Sequence, residues 1–346
     1  MKSHKIKIII SILLTVIFLI IAFKNIDFKT LLQTLKNMNF FWLIPFVGLT
    51  IFGMWIRAIR WKYLLKARGD FKASRLFSPL MIGFMANSLL PFRVGEFARA
   101  YTMGKKENFS PTTSFATIIL ERVFDGIALL ACLAIVFQFM PIADTQTTLN
   151  FGKYELNYAM IKSASKGFSY MIFIVLIGVL MLAVEKTKDI MVSIINSFKF
   201  IPQKIRDFMI NMVNKIAHGF HSIRDIKSTL WIIFYSFLTW IIVGFSLQML
   251  SWGFDDISIS FMQGMAVMII ICFAITIPSV PGYWGLYELG CWFGLTVLGI
   301  QSDKSIAMGY ALILHSMQMF PIIIIGLYYL WKEGFSLKEI SSNTTG

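Results

Sequence analysis

Cysteine is scarce in this chain. Cys132, Cys272 and Cys291 each fall inside an apolar run, and none has the CxxC spacing of a metal or redox centre, so free buried thiols are expected. Charge is scarce too, at 14% of residues, and from Ser228 to Asp303 there is no lysine or arginine at all. The sequence has no glycine-rich nucleotide loop, no nucleophile elbow and no zinc motif, and no polar stretch is large enough for a soluble catalytic domain. These absences exclude a disulfide scaffold and the familiar soluble enzyme classes.

What remains is apolar. With 57% hydrophobic and 15% aromatic residues, 346 residues carry too much apolar surface for one soluble core, and several runs approach bilayer length. The composition indicates a multi-pass membrane protein. The net charge of +14 sits in loops beside membrane segments, where cations fix orientation and meet anionic lipid, so no nucleic-acid partner is expected. The first run, Ile8 to Phe23, resembles a signal peptide but continues Lys24-Asn25-Ile26-Asp27 without a small-residue cleavage site, and is read as a membrane helix.

The expected fold is all-α and polytopic, with about six transmembrane helices and two re-entrant helical hairpins in an inverted repeat. Residues 1–39 form the first helix and an interfacial segment; 40–140 form repeat 1, a helix, a hairpin entering from the cytoplasm and a helix. Residues 141–228 hold a polar loop, a connecting helix (Phe168 to Val184) and a basic amphipathic segment; 229–331 form repeat 2 with its hairpin entering from outside; 332–346 are a tail. In the amphipathic segment Ile205, Phe208, Met209, Met212, Val213, Ile216, Phe220 and Ile223 recur at three and four, which suits a helix lying on an anionic surface or on the protein itself. With the N-terminus inside, the cytoplasmic segments carry 3, 11, 8 and 2 lysines and arginines, against 7 outside and Arg122 in the membrane. That bias places both termini in the cytoplasm of a cell whose inner membrane holds the chain.

Charges inside greasy sequence mark the candidate site, because an ionisable group at membrane depth is costly unless paired or lining a watery path. The run from Asn87 to Arg99 breaks at Pro91, holds Arg93, restarts a helix at Gly95 with Glu96 in its first turn, and ends in Arg99. The helix that follows from Ser110-Pro111 carries Glu121, Arg122 and Asp125 on an arc of about 100°. About 190 residues after the first break, Pro281, Gly282, Gly285 and Glu288 repeat its proline and glycine spacing with the acid displaced by two positions. The arginines suit phosphate, and Arg122 with its neighbouring acids is either a phosphate ligand held by them or a self-satisfied ion cluster. Glu288 has no partner in its own segment, which leaves Arg93, Arg122 or a proton. His315 and Gln318 share a face of the last helix, whereas His218 and His221 find no third ligand, so neither metal nor cofactor is expected.

These three motifs, Asn87-x3-Pro91-x-Arg93-x-Gly95-Glu96-x2-Arg99, Glu121-Arg122-x2-Asp125 and Pro278-x2-Pro281-Gly282-x2-Gly285-x2-Glu288, together resemble the flippase-like family named for the transmembrane region of lysylphosphatidylglycerol synthase. The resemblance covers nearly the whole chain. It implies a translocase for a phosphate-bearing lipid, such as an (aminoacyl-)phosphatidylglycerol or a polyprenyl-phosphate-linked precursor. Phe92, and Tyr283-Trp284 after Pro281-Gly282, depart from the family pattern and imply a second tip that is narrower or that reads a different headgroup. With 15 residues after the last helix, the resemblance is expected to cover the membrane half without an aminoacyl-transferase domain. The alternatives are a lipid-modifying enzyme using Glu96, Glu121 or Asp125 as general base, and a non-catalytic partner that docks a separate synthase; a homodimer also remains open.

Overall fold

The computed structural model describes residues 2–91, 93–139, 149–151, 154–156, 167, 170, 173, 174, 185–198, 202–221, 226–276, 281–336 and 339. Most of the expected connecting helix over 168–184, the residue Phe92 and the side chains of His218 and His221 lie outside what it describes.

The chain begins with α1 (Lys2–Phe23) and turns sharply, by 86°, into α2 (Phe28–Asn37). Asn25 takes a left-handed φ of 60° at the bend, and Asp27 caps α2 by accepting the Lys29 N–H and the Thr30 hydroxyl. A short helix is thus present where one was expected after the first apolar run. It buries Leu31 and Thr34 and leaves Phe28 and Leu32 exposed. A single helical turn, Phe40–Trp42, leads into α3 (Leu43–Leu65).

Two helix pairs follow the sequence expectation of broken helices. The first is α4 (Ala73–Leu89) and α5 (Gly95–Glu107), and α6 (Pro111–Phe139) comes after it, its first turn capped by the Ser110 hydroxyl. The second is α10 (Phe261–Ala274) and α11 (Leu286–Val297), between α9 (Ile226–Ser251) and α12 (Lys304–Lys332). In each pair the halves pack against each other. At 17 and 14 residues, α4 and α10 are shorter than the ~20 residues a span requires. Small residues let the halves close in: a Cβ on Gly95 would lie 1.9 Å from the Gly83 carbonyl, and one on Gly290 2.8 Å from Ala274.

Among the described residues, three helices are long and apolar enough to cross a membrane: Phe40–Leu65, Ile226–Ser251 and Lys304–Lys332. The bent α1–α2 pair would make a fourth. At 29 residues α6 is long enough to cross, but it carries Glu121, Arg122 and Asp125.

Two readings of the segment between α6 and α9 need correction. The stretch expected as a plain loop contains a small antiparallel hairpin of β1 (Leu149–Phe151) and β2 (Tyr154–Leu156), and apart from this pair the regular structure among the described residues is helical. The amphipathic segment is two helices, α7 (Glu185–Ser197) and α8 (Gln203–His221), which bury Val192, Ile195, Ile210 and Val213 against each other. The periodicity of α8 is visible in the sequence, but that of α7 is shorter and broken by charged residues.

The described chain divides into two compact units, one of Met1–Ile59, Phe71–Ile118 and Leu238–Gly346, the other of Arg60–Asp70 and Ile119–Phe237, with the boundaries falling inside α3, α6 and α9. The first unit holds both broken pairs and α12. There α12 packs along α4, burying Leu80, Met81 and Ile322 with Met54 and Ala58 of α3.

Candidate functional site

In the first unit the two breaks meet. After α4 ends, Leu90 and Pro91 lead to Arg93, whose φ of 53° is left-handed, a region that a residue with a Cβ enters at a cost. That turn sends the guanidinium across to the other pair, where Nη2 donates to the Ile275 carbonyl at 3.0 Å and the group lies 5.7 Å from the Tyr283 ring centroid. Tyr283 is itself left-handed, at φ 60°. Among the described residues the Ile275 carbonyl is the one hydrogen-bond acceptor Arg93 has, and its Nε is buried without a partner.

Both second halves restart at the glycine of the repeat, but their first amide is satisfied differently. The Gly95 N–H is accepted by Asn87 Oδ1 at 2.8 Å, so this first amide is occupied. Glu96 lies in the first turn of α5, and Arg99 is buried against Gly83. The Gly285 N–H is accepted by Glu288 Oε2 at 2.7 Å from within its own helix. Gly285 needs its φ of 86°, and an added Cβ would strike the backbone at Phe18.

Glu288 is fully buried, and its other oxygen lies 2.7 Å from His315 Nδ1. The imidazole stacks on Tyr287, centroids 4.2 Å apart and planes within 9°, and also meets Trp284. The Tyr287 hydroxyl donates to Gln318 Oε1. Where Arg93 or Arg122 was one expected partner of Glu288, its two oxygens meet a histidine one helix away and the start of its own helix.

The second unit contains a separate buried ion cluster. Arg60 of α3 is fully buried and reaches both acids of α6: Nη1 and Nη2 on Asp125, Nη2 on Glu121 at 3.2 Å, and Nη1 on the Ser236 hydroxyl at 3.0 Å. Arg122 closes the cluster with Nη2 3.1 Å from Glu121 and Nη1 3.3 Å from Asp125, while 39% of its side chain stays exposed. Two cations and two acids thus meet in one buried cluster.

The comparisons with known proteins bear on what this architecture is for. A family model described as the lysylphosphatidylglycerol synthase transmembrane region matches residues 8–326. The chain belongs to that family. A UPF0104 membrane protein of Methanocaldococcus jannaschii is 28% identical over 130 residues, 36% of this chain and 38% of its own length. A glycosyltransferase of Haloferax volcanii, AglD, is 27% identical over 124 residues, 36% of this chain and 20% of its own length. The similarity thus spans well under half of either relative. No solved structure matches.

Within this family member the sequence-predicted residues fall into two groups. Asn87, Pro91, Arg93, Gly95, Glu96, Arg99, Pro281, Gly282, Gly285, Glu288 and His315 are in the first unit; Glu121, Arg122 and Asp125 are in the second. Sequence reasoning missed Arg60. Arg57 and Arg60 read as the exit of α3 into the cytoplasm, yet both are buried, Arg57 with its guanidinium over the Phe84 and Trp240 rings. The available signal was charge balance, since Glu121 and Asp125 with Arg122 alone would leave an uncompensated acid at membrane depth.

Proposed function

We propose that this chain is a membrane translocase for a lipid with a phosphate headgroup, such as an (aminoacyl-)phosphatidylglycerol or a polyprenyl-phosphate-linked precursor. Membership of the lysylphosphatidylglycerol synthase transmembrane-region family supports a role in lipid handling. The alignment with a protein named as a glycosyltransferase keeps sugar-bearing lipids among the candidates. In this reading, α3, the first broken pair and α6 form one repeat, and α9, the second broken pair and α12 form its inverted counterpart, entering from opposite leaflets. Both termini face the cytoplasm, in keeping with the distribution of lysine and arginine.

The observation that carries the proposal is Arg93 at the meeting point of the two breaks. Its guanidinium is held by a neutral carbonyl and an aromatic face, partners that a phosphate would outcompete because a charge-assisted, forked contact is stronger than a hydrogen bond to a carbonyl. An arriving headgroup therefore takes Arg93 from Ile275 and loosens the contact between the tips, which couples binding to opening. Asn87, Pro91 and Gly95 shape the first tip, and Pro281, Gly282 and Gly285 the second. Purified protein in liposomes should exchange labelled phosphatidylglycerol or polyprenyl phosphate between leaflets, and Arg93→Gln should reduce that exchange at least tenfold while the protein stays folded. Exchange no faster than in empty liposomes for every lipid tried would refute it.

A further inference from the structure

We propose that Arg57 and the indole N–H of Trp240 form a second binding site for a lipid phosphate, one helical turn along α4 from the junction where Arg93 sits; its place on a transport path rests on the translocase reading above, the phosphate site does not. Arg57 lies in the apolar length of α3 and is 7% exposed. A cation kept at membrane depth is rare outside polar sites. Its guanidinium is 5.5 Å from the centroid of the Phe84 ring on α4 and 5.7 Å from that of Trp240 on α9, and all three residues belong to the first unit. Aromatic faces offset the positive charge but are weak hydrogen-bond acceptors.

Trp240 adds a donor that nothing among the described residues meets, because its Nε1 is buried without a hydrogen-bond partner. A buried donor left so is a standing cost. A cation and an orphaned N–H side by side, between aromatic walls, suit an anion: phosphate oxygens accept from both, and the forked guanidinium matches their spacing. Trp292 on α11 supplies the contrast. Its Nε1 is also buried without a partner, but the cation over its ring is Lys304, whose amine is committed to the Ile21 and Lys24 carbonyls.

The position along α4 gives the site its use. The Ser88 hydroxyl donates to the Phe84 carbonyl, and a Cβ on Gly282 would lie 3.0 Å from the Ser88 carbonyl. One turn, about 6 Å of rise, therefore separates the ring beside Arg57 from the tip whose Tyr283 ring meets Arg93. In the orientation proposed above, Phe84 is on the cytoplasmic side of that junction. A headgroup arriving from the inner leaflet, or leaving Arg93 toward it, meets Arg57 and Trp240 on its way. Two stations of moderate strength pass an ion along better than one that holds it tightly.

The test uses the full chain, isotope-labelled at its tryptophan indoles, in dodecyl maltoside micelles, a detergent without phosphate. The Trp240 N–H resonance, identified by its loss in W240F, should move downfield on titration with phosphatidylglycerol or polyprenyl phosphate and stay in place with diacylglycerol. W240F keeps a ring beside Arg57 and removes only the donor. It should bind these lipids about tenfold more weakly while unfolding at the wild-type temperature or above it, whereas W292F should bind as the wild type does. A stationary Trp240 resonance with both phosphate lipids, W240F binding within about twofold of the wild type, or equal losses in W240F and W292F would each overturn the site. A response to glycerol phosphate in place of either lipid would overturn the assignment to a lipid headgroup. In liposomes W240F should slow exchange of labelled phosphatidylglycerol about tenfold. Exchange unchanged in W240F would overturn its place on the path alone, and absence of exchange by a wild type that binds as expected would overturn the translocase reading while keeping the site.

Discussion

Replacing Arg60 by methionine is the sharpest test of the buried ion cluster. The substitution roughly keeps the volume of the stem and takes a fully buried cation from Glu121 and Asp125, whose contact with Arg122 is partly exposed. Arg60 is 0% exposed and contacts both carboxylates and Ser236, so its loss strands a net negative charge in a buried place, where removing one partner of an ion pair costs about 3–5 kcal/mol. Adding Asp125→Asn restores neutrality, with Glu121 facing Arg122. Most of the loss should then be recovered, giving a coupling above ~1.5 kcal/mol in a double-mutant cycle. Unfolding of the two single variants, the double variant and the wild type in the same detergent or nanodisc would measure it. Additive effects within ~0.5 kcal/mol, or an Arg60→Met variant as stable as the wild type, would refute the claim that this arginine is the counter-charge.

Arg122→Ala leaves Glu121 and Asp125 with one cation fewer but removes a partly solvated one, so it should cost less than Arg60→Met, about 1–3 kcal/mol, and should abolish lipid exchange if the exposed guanidinium meets the headgroup; unchanged exchange would leave it a structural role only. Gly95→Ala should prevent folding of the first hairpin, since no shift of a flexible side chain relieves a 1.9 Å approach to the Gly83 carbonyl, and normal expression with native thermal stability would count against that packing. Asn87→Ala removes the acceptor of the Gly95 N–H and should lower stability by about 1 kcal/mol, read by thermal unfolding. At the C-terminal end, hydrogen bonds from Lys105 and Tyr101 hold the Glu339 carboxyl below its usual value of 4.5. This contact is fully formed above that value and is lost as pH falls through the lowered one, so proteolysis of the tail should accelerate only in strongly acidic buffer.

Much of the architecture was legible because membrane segments are long and nearly uniform. The spans starting at Phe40 and near Leu230 and Ile306, the Ser110-Pro111 start and the breaks at Pro91 and Pro281 all stand where composition and turn chemistry put them. The candidate site was legible only in part. Gly95 and Gly285 marked the restarts, but nothing local shows that Asn87 would reach forward eight residues to cap one while Glu288 reaches back three to cap the other. The pairing of Glu288 with His315 joins residues 27 apart, and that of Arg60 with Asp125 residues 65 apart. Sequence spacing is silent about such contacts, although the need for a counter-charge is not. Arg60 was misread because a cation near the end of an apolar run serves equally well as an orientation signal and as a buried partner, and only the acids on α6 distinguish the two.

Arg93 and Tyr283, one on each tip, both hold backbone angles that residues with side chains avoid, at about 1–3 kcal/mol apiece. Neither conformation is what its own segment would choose; each persists because the opposite tip is there. The junction is therefore a cocked spring, and parting returns to each loop what meeting took from it. In the proposed translocation, little push would be needed to part the tips, and most of the work would fall on bringing them back together.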